Sequence, residues 1–512
     1  MKRALLGAAA GIALVTVAAR VVGFGRVAVL SRTLGTSCVG DAYQAANAVP
    51  NVVFEVVAGG ALAAVVVPVL AGAVASGDRV TASRTASALL TWTVLVLTPV
   101  ALLGAFAAPT LMRALLSDDP TCAGAVETGS RMLVVFMPQV VLYGVGIVLV
   151  GVLQAHRRFL GPALAPLLSS LVVIGAYLLY AARGRVENLS DLGRGQELVL
   201  SVGTTLGVAV LCLGLVVPLR RCGLHLHPTL SFPVGVAGTA RRLALGGIAA
   251  LAAQQVSLVV ALRLAATDTD QGAVVAFTVA TALFLLPWAV LAVPVATAVF
   301  PTLASADEAA YGRELGRALR AVLLAMSGAA AVLCVVAVPV ARLLVEGVPG
   351  AERTGSLAAA VAAFAPGLVG YGLVALLSRA LYARGRARTA AVAAVTGWLT
   401  VAAADLALVA ALPEADRVVL LGVGNSIGVS VAGLLMLVGV RRALVGSGAG
   451  RSALAGAVGA ALAALVLLVP MPDPQPGTDL LLAGGLASLA GLVFLAVARL
   501  IDPVGLKGLL RA

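Results

Sequence analysis

The 512-residue chain has little charge, few aromatic side chains and almost no lysine. Charged residues make up 11% of it and aromatic residues 4%, and Lys2 and Lys507 are the only lysines. Because soluble domains contain about 25% charged residues, most of this chain must face something other than water. The three histidines, His156, His225 and His227, are accompanied by no nucleophile–base pair, glycine-rich phosphate loop or set of metal ligands. The sequence therefore predicts no enzymatic activity, no cofactor and no metal site.

Cysteine is scarce as well, and its spacing does not match metal-binding motifs. We interpret the five cysteines as small residues that pack between helices. His225 and His227 have no third ligand nearby, so we assign them to an interfacial loop. The net charge is +13, but the arginines are dispersed in pairs along the chain rather than gathered in one patch. We therefore expect no nucleic-acid partner.

Long apolar segments are what the sequence does contain. Hydrophobic residues make up 61% of the chain, and its mean hydropathy is +1.08. A helix of about 20 apolar residues crosses a hydrocarbon core of about 30 Å, whereas barrel strands would alternate apolar and polar residues. The sequence predicts an all-α polytopic membrane protein of about fourteen transmembrane helices. We place them at 4–30, 42–75, 86–112, 132–153, 162–182, 197–219, 243–264, 272–300, 318–344, 356–380, 389–412, 418–439, 453–470 and 480–501.

Basic residues occur in every second connection between these segments, and acidic residues in the others. Lysine and arginine near membrane helices stay on the cytoplasmic side. The alternation therefore predicts that both termini are cytoplasmic. We interpret the first apolar segment, which resembles a secretory signal, as an uncleaved transmembrane helix.

Two segments of the chain match each other at a constant offset. "FMPQVVLYGVGIVLVGVLQAHRRF" begins at Phe136, and "FAPGLVGYGLVALLSRALYARGRA" begins 228 residues later at Phe364. They correspond to the fourth and tenth helices and have the same orientation, which is typical of a parallel repeat in transporters. We predict a six-helix N-lobe at 1–219, a linker at 220–242, a C-lobe at 243–440 and an extra helix pair at 453–501.

Two arginines lie inside the first apolar segment. A charge near the bilayer centre costs about 2.5–3.5 kcal/mol, so we expect Arg20 and Arg26 to face a water-filled cavity. A regular helix places them about 120° apart, and we expect Gly23 and Gly25 to permit a bend that brings both into one cavity. Guanidinium groups bind phosphate oxygens through paired hydrogen bonds and remain charged. The pair therefore favours a phosphate-bearing amphiphile as cargo.

Few other polar residues interrupt the apolar segments. Asp41, Asn51 and Glu55 belong to the second segment, and Arg263 lies near the outer end of the seventh. Asp41 is either a cavity acid or the N-cap of the second helix. Arg263 either faces the cavity or extends to the interface. Pro50, Gly59, Gly60 and Pro68 together predict a bend in the second helix.

A family resemblance begins in the same region. Residues 19–71 contain Arg20-x-x-Gly-Phe-x-Arg26, Leu-Gly, Asp41-Ala, Pro-Asn51 and a Gly-Ala…Pro ending. This pattern resembles the signature of the MurJ (MviN) family of lipid II flippases, which belongs to the multidrug/oligosaccharidyl-lipid/polysaccharide exporter superfamily. "LPWAVLAVPVATAVFPTLA", from Leu286, is similar to the helix-8 element of that family, and fourteen helices are its usual number.

The resemblance implies a function and a location. Members of the family move lipid-linked peptidoglycan precursor, lipid II, from the inner to the outer leaflet of the bacterial cytoplasmic membrane. By this resemblance Arg20 and Arg26 would bind the pyrophosphate and Asp41 would be a cavity acid. A groove at helices 13 and 14 would hold the polyprenyl tail. The partners expected are lipid II or a related polyprenyl pyrophosphate-linked glycan, membrane lipids and proteins of cell-wall synthesis.

The chain departs from the family pattern at several charged positions. Val27 stands where the family carries Asp, and helix 8 reads "FTVATALFLLP", without its usual arginine. One alternative is therefore a flippase for another polyprenyl-linked glycan, or a diverged paralogue. A second is an ion-coupled drug exporter that uses Glu55 or Asp405, and a third is a membrane scaffold for cell-wall enzymes.

Overall fold

A computed structural model describes most of the chain. Its backbone is described over residues 2–56, 63–117, 120–186, 188–232, 236–268, 271–345, 347, 351–468 and 478–509. Side chains are described in the same ranges except for residues 2–14, 63–65, 236–248 and 351. The chain divides into two compact units. The first unit comprises Met1–Gln255 with Thr269–Val275, and the second comprises Val256–Asp268 with Ala276–Ala512.

Helices form both units, and the described residues include no strand. The first ten helices are α1 (Lys2–Leu34), α2 (Cys38–Phe54), α3 (Ala63–Ala75), α4 (Arg79–Phe106), α5 (Ala108–Leu115), α6 (Ala125–Phe136), α7 (Pro138–Ala155), α8 (Leu160–Ala182), α9 (Arg194–Arg220) and α10 (Val236–Ala265). They are followed by α11 (Ala273–Pro287), α12 (Val293–Ser305), α13 (Glu308–Val335), α14 (Ala337–Val345), α15 (Thr354–Phe364), α16 (Gly367–Ala383), α17 (Ala387–Ala411), α18 (Arg417–Val440), α19 (Ala449–Ala464), α20 (Thr478–Ile501) and α21 (Pro503–Leu509).

The helices confirm the predicted all-α membrane class. Among the described residues, ten helical segments are long and apolar enough to cross a membrane, and the pair α15–α16, bent by 43°, makes an eleventh if it is one span. These segments coincide with eleven of the fourteen predicted ones. The predicted segments at 4–30, 42–75 and 243–264 coincide with α1, α2–α3 and α10, whose side chains lie partly outside the described residues. The count of fourteen therefore stays a prediction.

Several helices begin earlier than their apolar segments predict because an acidic side chain caps them. Asp78 accepts a hydrogen bond from the Thr81 backbone N–H at 2.9 Å and starts α4. Asp307 does the same for Ala310 at 2.7 Å and starts α13. An N-cap of this kind satisfies a backbone donor that the helix leaves unpaired. α4 and α13 therefore extend past their predicted starts at 86 and 318. α10 likewise begins at Val236, inside the predicted linker.

The internal repeat has a structural counterpart in each unit. The backbone N–H groups of Arg158 and Arg386 donate to Leu153 and Leu381, both at 2.8 Å. The side chain of each arginine also donates to a carbonyl at the end of another helix, which is α9 in the first unit and α18 in the second. Arg158 reaches the Arg221 carbonyl at 2.9 Å, and Arg386 reaches the Gly439 carbonyl at 2.6 Å.

Glycine allows the same close approach in both copies of the repeat. A Cβ at Gly144 would collide with Leu97, and a Cβ at Gly372 would collide with Met326. α7 therefore packs closely on α4, and α16 packs closely on α13. The lobe boundaries themselves stay a prediction.

The connection after α9 lies along α4 through a series of hydroxyl groups. The backbone N–H groups of His225, His227 and Thr229 donate to Ser83, Ser87 and Thr91 at 3.2, 3.1 and 3.1 Å. Two residues of extended chain advance about 6.6 Å, and four residues of α-helix advance about 6 Å. The two spacings are nearly equal, so every second amide of the linker can bond to every fourth residue of α4. The histidine pair belongs to this hydrogen-bonded loop, and no metal-ligand group occurs among the described residues.

The extra helix pair packs on α13 through an ionic cluster. Arg320 of α13 donates to Asp502, which follows α20, and Ser452 of α19 also donates to that carboxylate. The Gly505 backbone N–H adds a further bond at 2.9 Å. Asp502 is only 1% exposed, so its charge depends on these donors. An apolar cluster of Leu324, Phe494 and their neighbours packs the helices together beside it.

Candidate functional site

Arg20 and Arg26 both lie on α1, and their surroundings differ. Arg20 is exposed and Arg26 is partly buried. α1 runs as one helix through both glycines between them, so the helix is not unwound at Gly23 and Gly25. A continuous helix can still curve at a glycine, and the bend stays a prediction. A Cβ at either glycine would meet no atom within 4 Å, so this part of α1 faces open space.

Arg26 lies near a group of tyrosines in the first unit. Its charge acts electrostatically on Tyr43, Tyr143 and Tyr177. The Tyr43 hydroxyl is 2.9 Å from the Tyr177 hydroxyl and 2.7 Å from the Thr204 hydroxyl. The first unit therefore places a permanent cation beside a connected set of buried hydroxyl groups.

Asn51 extends this polar group along α2. Tyr143 donates to the Asn51 side-chain oxygen at 3.2 Å, and the Asn51 amide donates to the Asn47 carbonyl at 2.8 Å. Phe54 stacks on Tyr143 with ring centroids 4.5 Å apart. The Asn47 side-chain oxygen is buried and has no hydrogen-bond partner among the described residues. Tyr143 therefore joins α7 to α2 through both a hydrogen bond and a ring contact.

π-Helical residues lie beside each repeat tyrosine. In the first unit they are residues 55–56, which follow α2, and in the second they are Trp288–Ala292, between α11 and α12. Trp288 stacks on Tyr371, the repeat counterpart of Tyr143, at 4.7 Å. π-Helical turns are frequent at functional sites. α2 contains Pro50 without a break, and Gly59 and Gly60 lie outside the described residues, so the bend of the second helix stays a prediction.

Asp41 neither caps α2 nor lies exposed. Ser37 is the N-cap of α2, since its hydroxyl accepts from the Gly40 N–H at 3.2 Å. Asp41 is 8% exposed and accepts from the backbone N–H groups of Gly272 and Val275 at 2.8 and 3.0 Å. It therefore caps the start of α11, and the prediction that it caps its own helix is wrong.

The other predicted site residues are dispersed. Glu55 is exposed in the π-helical turn that follows α2. Arg263 lies near the end of α10 and belongs to the second unit, and one of its terminal nitrogens is buried without a partner among the described residues. The structure thus brings Arg26 and Asn51 to one polar region of the first unit, and Glu55 follows Asn51 by one helical turn. Arg20 and Asp41 lie elsewhere in that unit.

The tyrosines are the site residues that sequence reasoning missed. The chain has only seven tyrosines, and Tyr143 was part of the quoted repeat. Tyr43 lies near the start of the second apolar segment and Tyr177 lies within the fifth, where a buried phenol must find a hydrogen-bond partner. The small number of tyrosines and their place in apolar segments could therefore have identified them as candidate site residues.

The cysteines require a further correction. Cys38 and Cys122 form a disulfide across 84 residues, whereas Cys212, Cys222 and Cys334 are free. The interpretation of all five as packing residues is therefore wrong for this pair. Sequence spacing could not reveal it, since the partners come together only through the packing of α2 on α6.

Two units of apolar helices, each carrying one copy of the repeat, define a polytopic α-helical membrane protein. The fold is similar to an inward-facing multidrug resistance MATE family transporter of the MOP superfamily, with a TM-score of 0.68, 16% identity and coverage of 83% of this chain and 94% of that one. It is also similar to a lipid II flippase MurJ in the inward closed conformation. That TM-score is 0.76 at 17% identity, over 95% of this chain and 98% of that one.

Sequence comparison identifies the family. A family-wide sequence model described as "Lipid II flippase MurJ" matches residues 30–471, and the chain belongs to this family. The chain is 28% identical over 444 residues to a lipid II flippase MurJ of Burkholderia cenocepacia, covering 83% of this chain and 82% of that protein. It is 27% identical over 380 residues to a probable lipid II flippase MurJ of Rhizobium tropici, with 72% and 69% covered. The family that residues 19–71 resembled is thus confirmed.

Proposed function

We propose that this protein moves lipid II from the inner to the outer leaflet of the bacterial cytoplasmic membrane by alternating access. Membership of the lipid II flippase MurJ family supports the proposal. The observation that carries it is Arg26, a permanent cation on a membrane helix within electrostatic range of Tyr43, Tyr143 and Tyr177. Such a charge in an apolar segment is costly unless it has an anionic or aqueous partner.

Arg26 and Arg20 would bind the pyrophosphate of the substrate. A guanidinium group offers two parallel hydrogen bonds to phosphate oxygens and keeps its charge at every relevant pH. No described atom lies within 4 Å of a Cβ built on Gly23, which is one helical turn from both Arg20 and Arg26, so this side of α1 leaves room for a headgroup. Asn51, Glu55 and Arg263 are further candidate contacts. Asp41 is better explained by its hydrogen bonds to the start of α11.

Substitution of the arginine tests this role. We expect Arg26→Ala to reduce lipid II export about tenfold or more, because a charge-assisted hydrogen bond contributes about 1.5–3 kcal/mol. Arg26→Lys should retain part of the activity, since it keeps the charge but not the paired hydrogen bonds. The measurement is the appearance of lipid II in the outer leaflet of cells depleted of their own flippase.

Arg113→Ala is the matched control, because Arg113 is exposed on α5 and its loss changes the net charge equally. The control should export lipid II normally. Normal export by Arg20→Ala and Arg26→Ala proteins would show that these arginines do not bind the substrate.

We also propose that both termini are cytoplasmic. The disulfide supports this orientation, because Cys38 and Cys122 lie in connections that the arginine pattern predicts to be outside the cytoplasm. Disulfides persist in oxidising compartments and are rare in the cytosol. The free Cys222 lies in a connection predicted to be cytoplasmic.

Thiol labelling tests the orientation. After mild reduction of intact cells, a membrane-impermeant maleimide should label Cys122, which is partly exposed, and leave Cys222 unlabelled. Permeabilised cells should add Cys222, which is partly exposed. Labelling of Cys222 alone in intact cells would reverse the orientation.

A second candidate function is ion-coupled export, and Asp405 of α17 favours it. This carboxylate is 1% exposed, and neither of its oxygens has a hydrogen-bond partner among the described residues. A buried acid without a partner is costly when charged and suits reversible binding of a proton or cation. Loss of drug efflux in an Asp405→Asn protein with intact lipid II export would support this function.

The other alternative is a flippase for a different polyprenyl-linked glycan. It is tested by comparing the affinity of the purified protein for that glycan with its affinity for lipid II.

A further inference from the structure

A pocket of about 620 Å³ opens at one end of the second unit. It lies where α13 begins and where α16 and α18 end. Its lining residues are Glu308, Tyr311, Leu381, Arg384, Arg386, Val438, Gly439, Val440, Arg441, Arg442 and Ala443. The volume is within the range of small-molecule sites, which is about 300–1,000 Å³. This pocket involves none of the residues assigned above to lipid II export.

The charge of the pocket is strongly positive. Arg384, Arg386, Arg441 and Arg442 line it, and Glu308 is the single carboxylate in the lining. Four permanent cations against one acid produce a field that attracts anions. Because the like charges repel one another, the unoccupied arrangement is less favourable than one with a bound anion.

Two of the arginines are already held in place. Arg386 donates to the Gly439 carbonyl at 2.6 Å. The Arg384 guanidinium lies over the Tyr311 ring at 4.1 Å and donates to the Asp307 carbonyl at 3.2 Å. The Arg384 Nε atom is buried and has no hydrogen-bond partner among the described residues. A positioned guanidinium with an unused donor is suited to bind a tetrahedral oxyanion at little entropic cost.

The first unit does not reproduce this arrangement. His156 occupies the repeat position that corresponds to Arg384, and its Nδ1 atom lies 2.8 Å from the Val152 carbonyl. Arg158 and Arg386 correspond and have the same role at a helix end. Arg386 is therefore explained by a structural role that both repeat copies share. Arg384 has no arginine counterpart in the first copy, so its contact with Tyr311 occurs only in the second.

The apolar part of the pocket indicates a lipid. Leu381, Val438 and Val440 line it together with the arginines. Val438 is 58% exposed, and Leu434 one turn earlier on α18 is 55% exposed, so an apolar surface leads away from the pocket. Basic pockets at the ends of membrane helices are typical sites for anionic headgroups. We propose that this pocket binds the phosphate group of a lipid headgroup, with an acyl or prenyl chain along α18.

Lipid binding to the purified full chain tests the proposal. The probes are phosphatidylglycerol, zwitterionic phosphatidylethanolamine and a polyprenyl pyrophosphate, each measured by native mass spectrometry in detergent. Phosphatidylglycerol should bind more tightly than phosphatidylethanolamine, and inorganic pyrophosphate should compete with it. The double variant Arg441→Gln/Arg442→Gln should bind phosphatidylglycerol about tenfold more weakly, because two charge-assisted contacts are lost.

The matched control is Arg313→Gln/Arg388→Gln, which removes the same charge from exposed positions outside the pocket. It should bind phosphatidylglycerol within about twofold of the unmodified protein. All three proteins should have the same melting temperature, since the substituted side chains are exposed. The Arg441→Gln/Arg442→Gln variant could instead bind polyprenyl pyrophosphate more weakly and phosphatidylglycerol as tightly as before. That result would still assign a lipid phosphate to the pocket, namely that of the substrate headgroup. Equal losses in variant and control, or no loss in either, would overturn the proposal.

Discussion

The carboxylate of Asp41 joins the first turn of α2 to the start of α11 through two backbone hydrogen bonds. Its partners lie 231 and 234 residues further along the chain. The sequence singled out Asp41 because it is a carboxylate in an apolar region, but it could not identify these partners. For Arg26 the sequence was sufficient, because an arginine within an apolar segment by itself predicts polar surroundings.

We predict that Asp41→Ala lowers the free energy of unfolding by about 1–3 kcal/mol, because two buried N–H groups lose their acceptor. The measurement is thermal or denaturant unfolding of the detergent-purified protein. Asp78→Ala is the control, since Asp78 is an exposed N-cap, and it should cost only about 1 kcal/mol. Equal stability of the Asp41→Ala protein, together with lost lipid II export, would restore the interpretation of Asp41 as a cavity acid.

At the scale of the elements, apolar length predicted most helices and misjudged their ends. α4 and α13 begin at their aspartate caps rather than where apolar residues begin. The π-helical turn at Trp288–Ala292 was not predicted either. Periodicity reports which residues avoid water, whereas caps, bends and π-helical turns depend on local hydrogen bonds and on neighbouring helices.

The linker along α4 provides an element-scale prediction. Substitution of Ser83, Ser87 and Thr91 by Ala removes three acceptors of linker N–H groups. Each bond contributes about 0.5–1.5 kcal/mol, so hydrogen exchange of the amides of residues 225, 227 and 229 should accelerate about tenfold or more. Thr98→Ala, at an exposed position of α4, is the control and should leave the exchange rates unchanged. Unchanged rates in the triple variant would show that apolar packing alone holds the linker.

At the scale of the whole molecule, the cluster around Asp502 connects the extra helix pair to α13. Burial alone would raise the pKa of Asp502, but hydrogen bonds from Ser452, Arg320 and the Gly505 N–H outweigh it and lower the pKa. The unfolded-state pKa of Asp is about 3.9. Since the folded-state pKa is lower, the stabilisation is present above about pH 3.9 and is lost as the pH falls through the folded-state pKa.

We therefore predict that, below about pH 4, the melting temperature of the protein falls more steeply with falling pH than that of an Asp502→Asn variant. Near neutral pH the variant should be the less stable of the two, because Arg320 loses its ionic partner. Asp191→Asn, at an exposed position, should follow the unmodified protein across the whole range. Parallel curves for Asp502→Asn and the unmodified protein would exclude Asp502 as the titrating group.

The sequence by itself determined the membrane class, most of the helical segments, the internal repeat and the family. Each of these depends on composition or order along the chain, because a bilayer selects for apolar length and a repeat is preserved as a residue pattern. Only the tertiary structure decided that Cys38 bonds to Cys122, that Asp41 caps α11 and that Arg26 lies among tyrosines. These contacts join residues far apart in the chain, and they exist only where packed helices bring the side chains together.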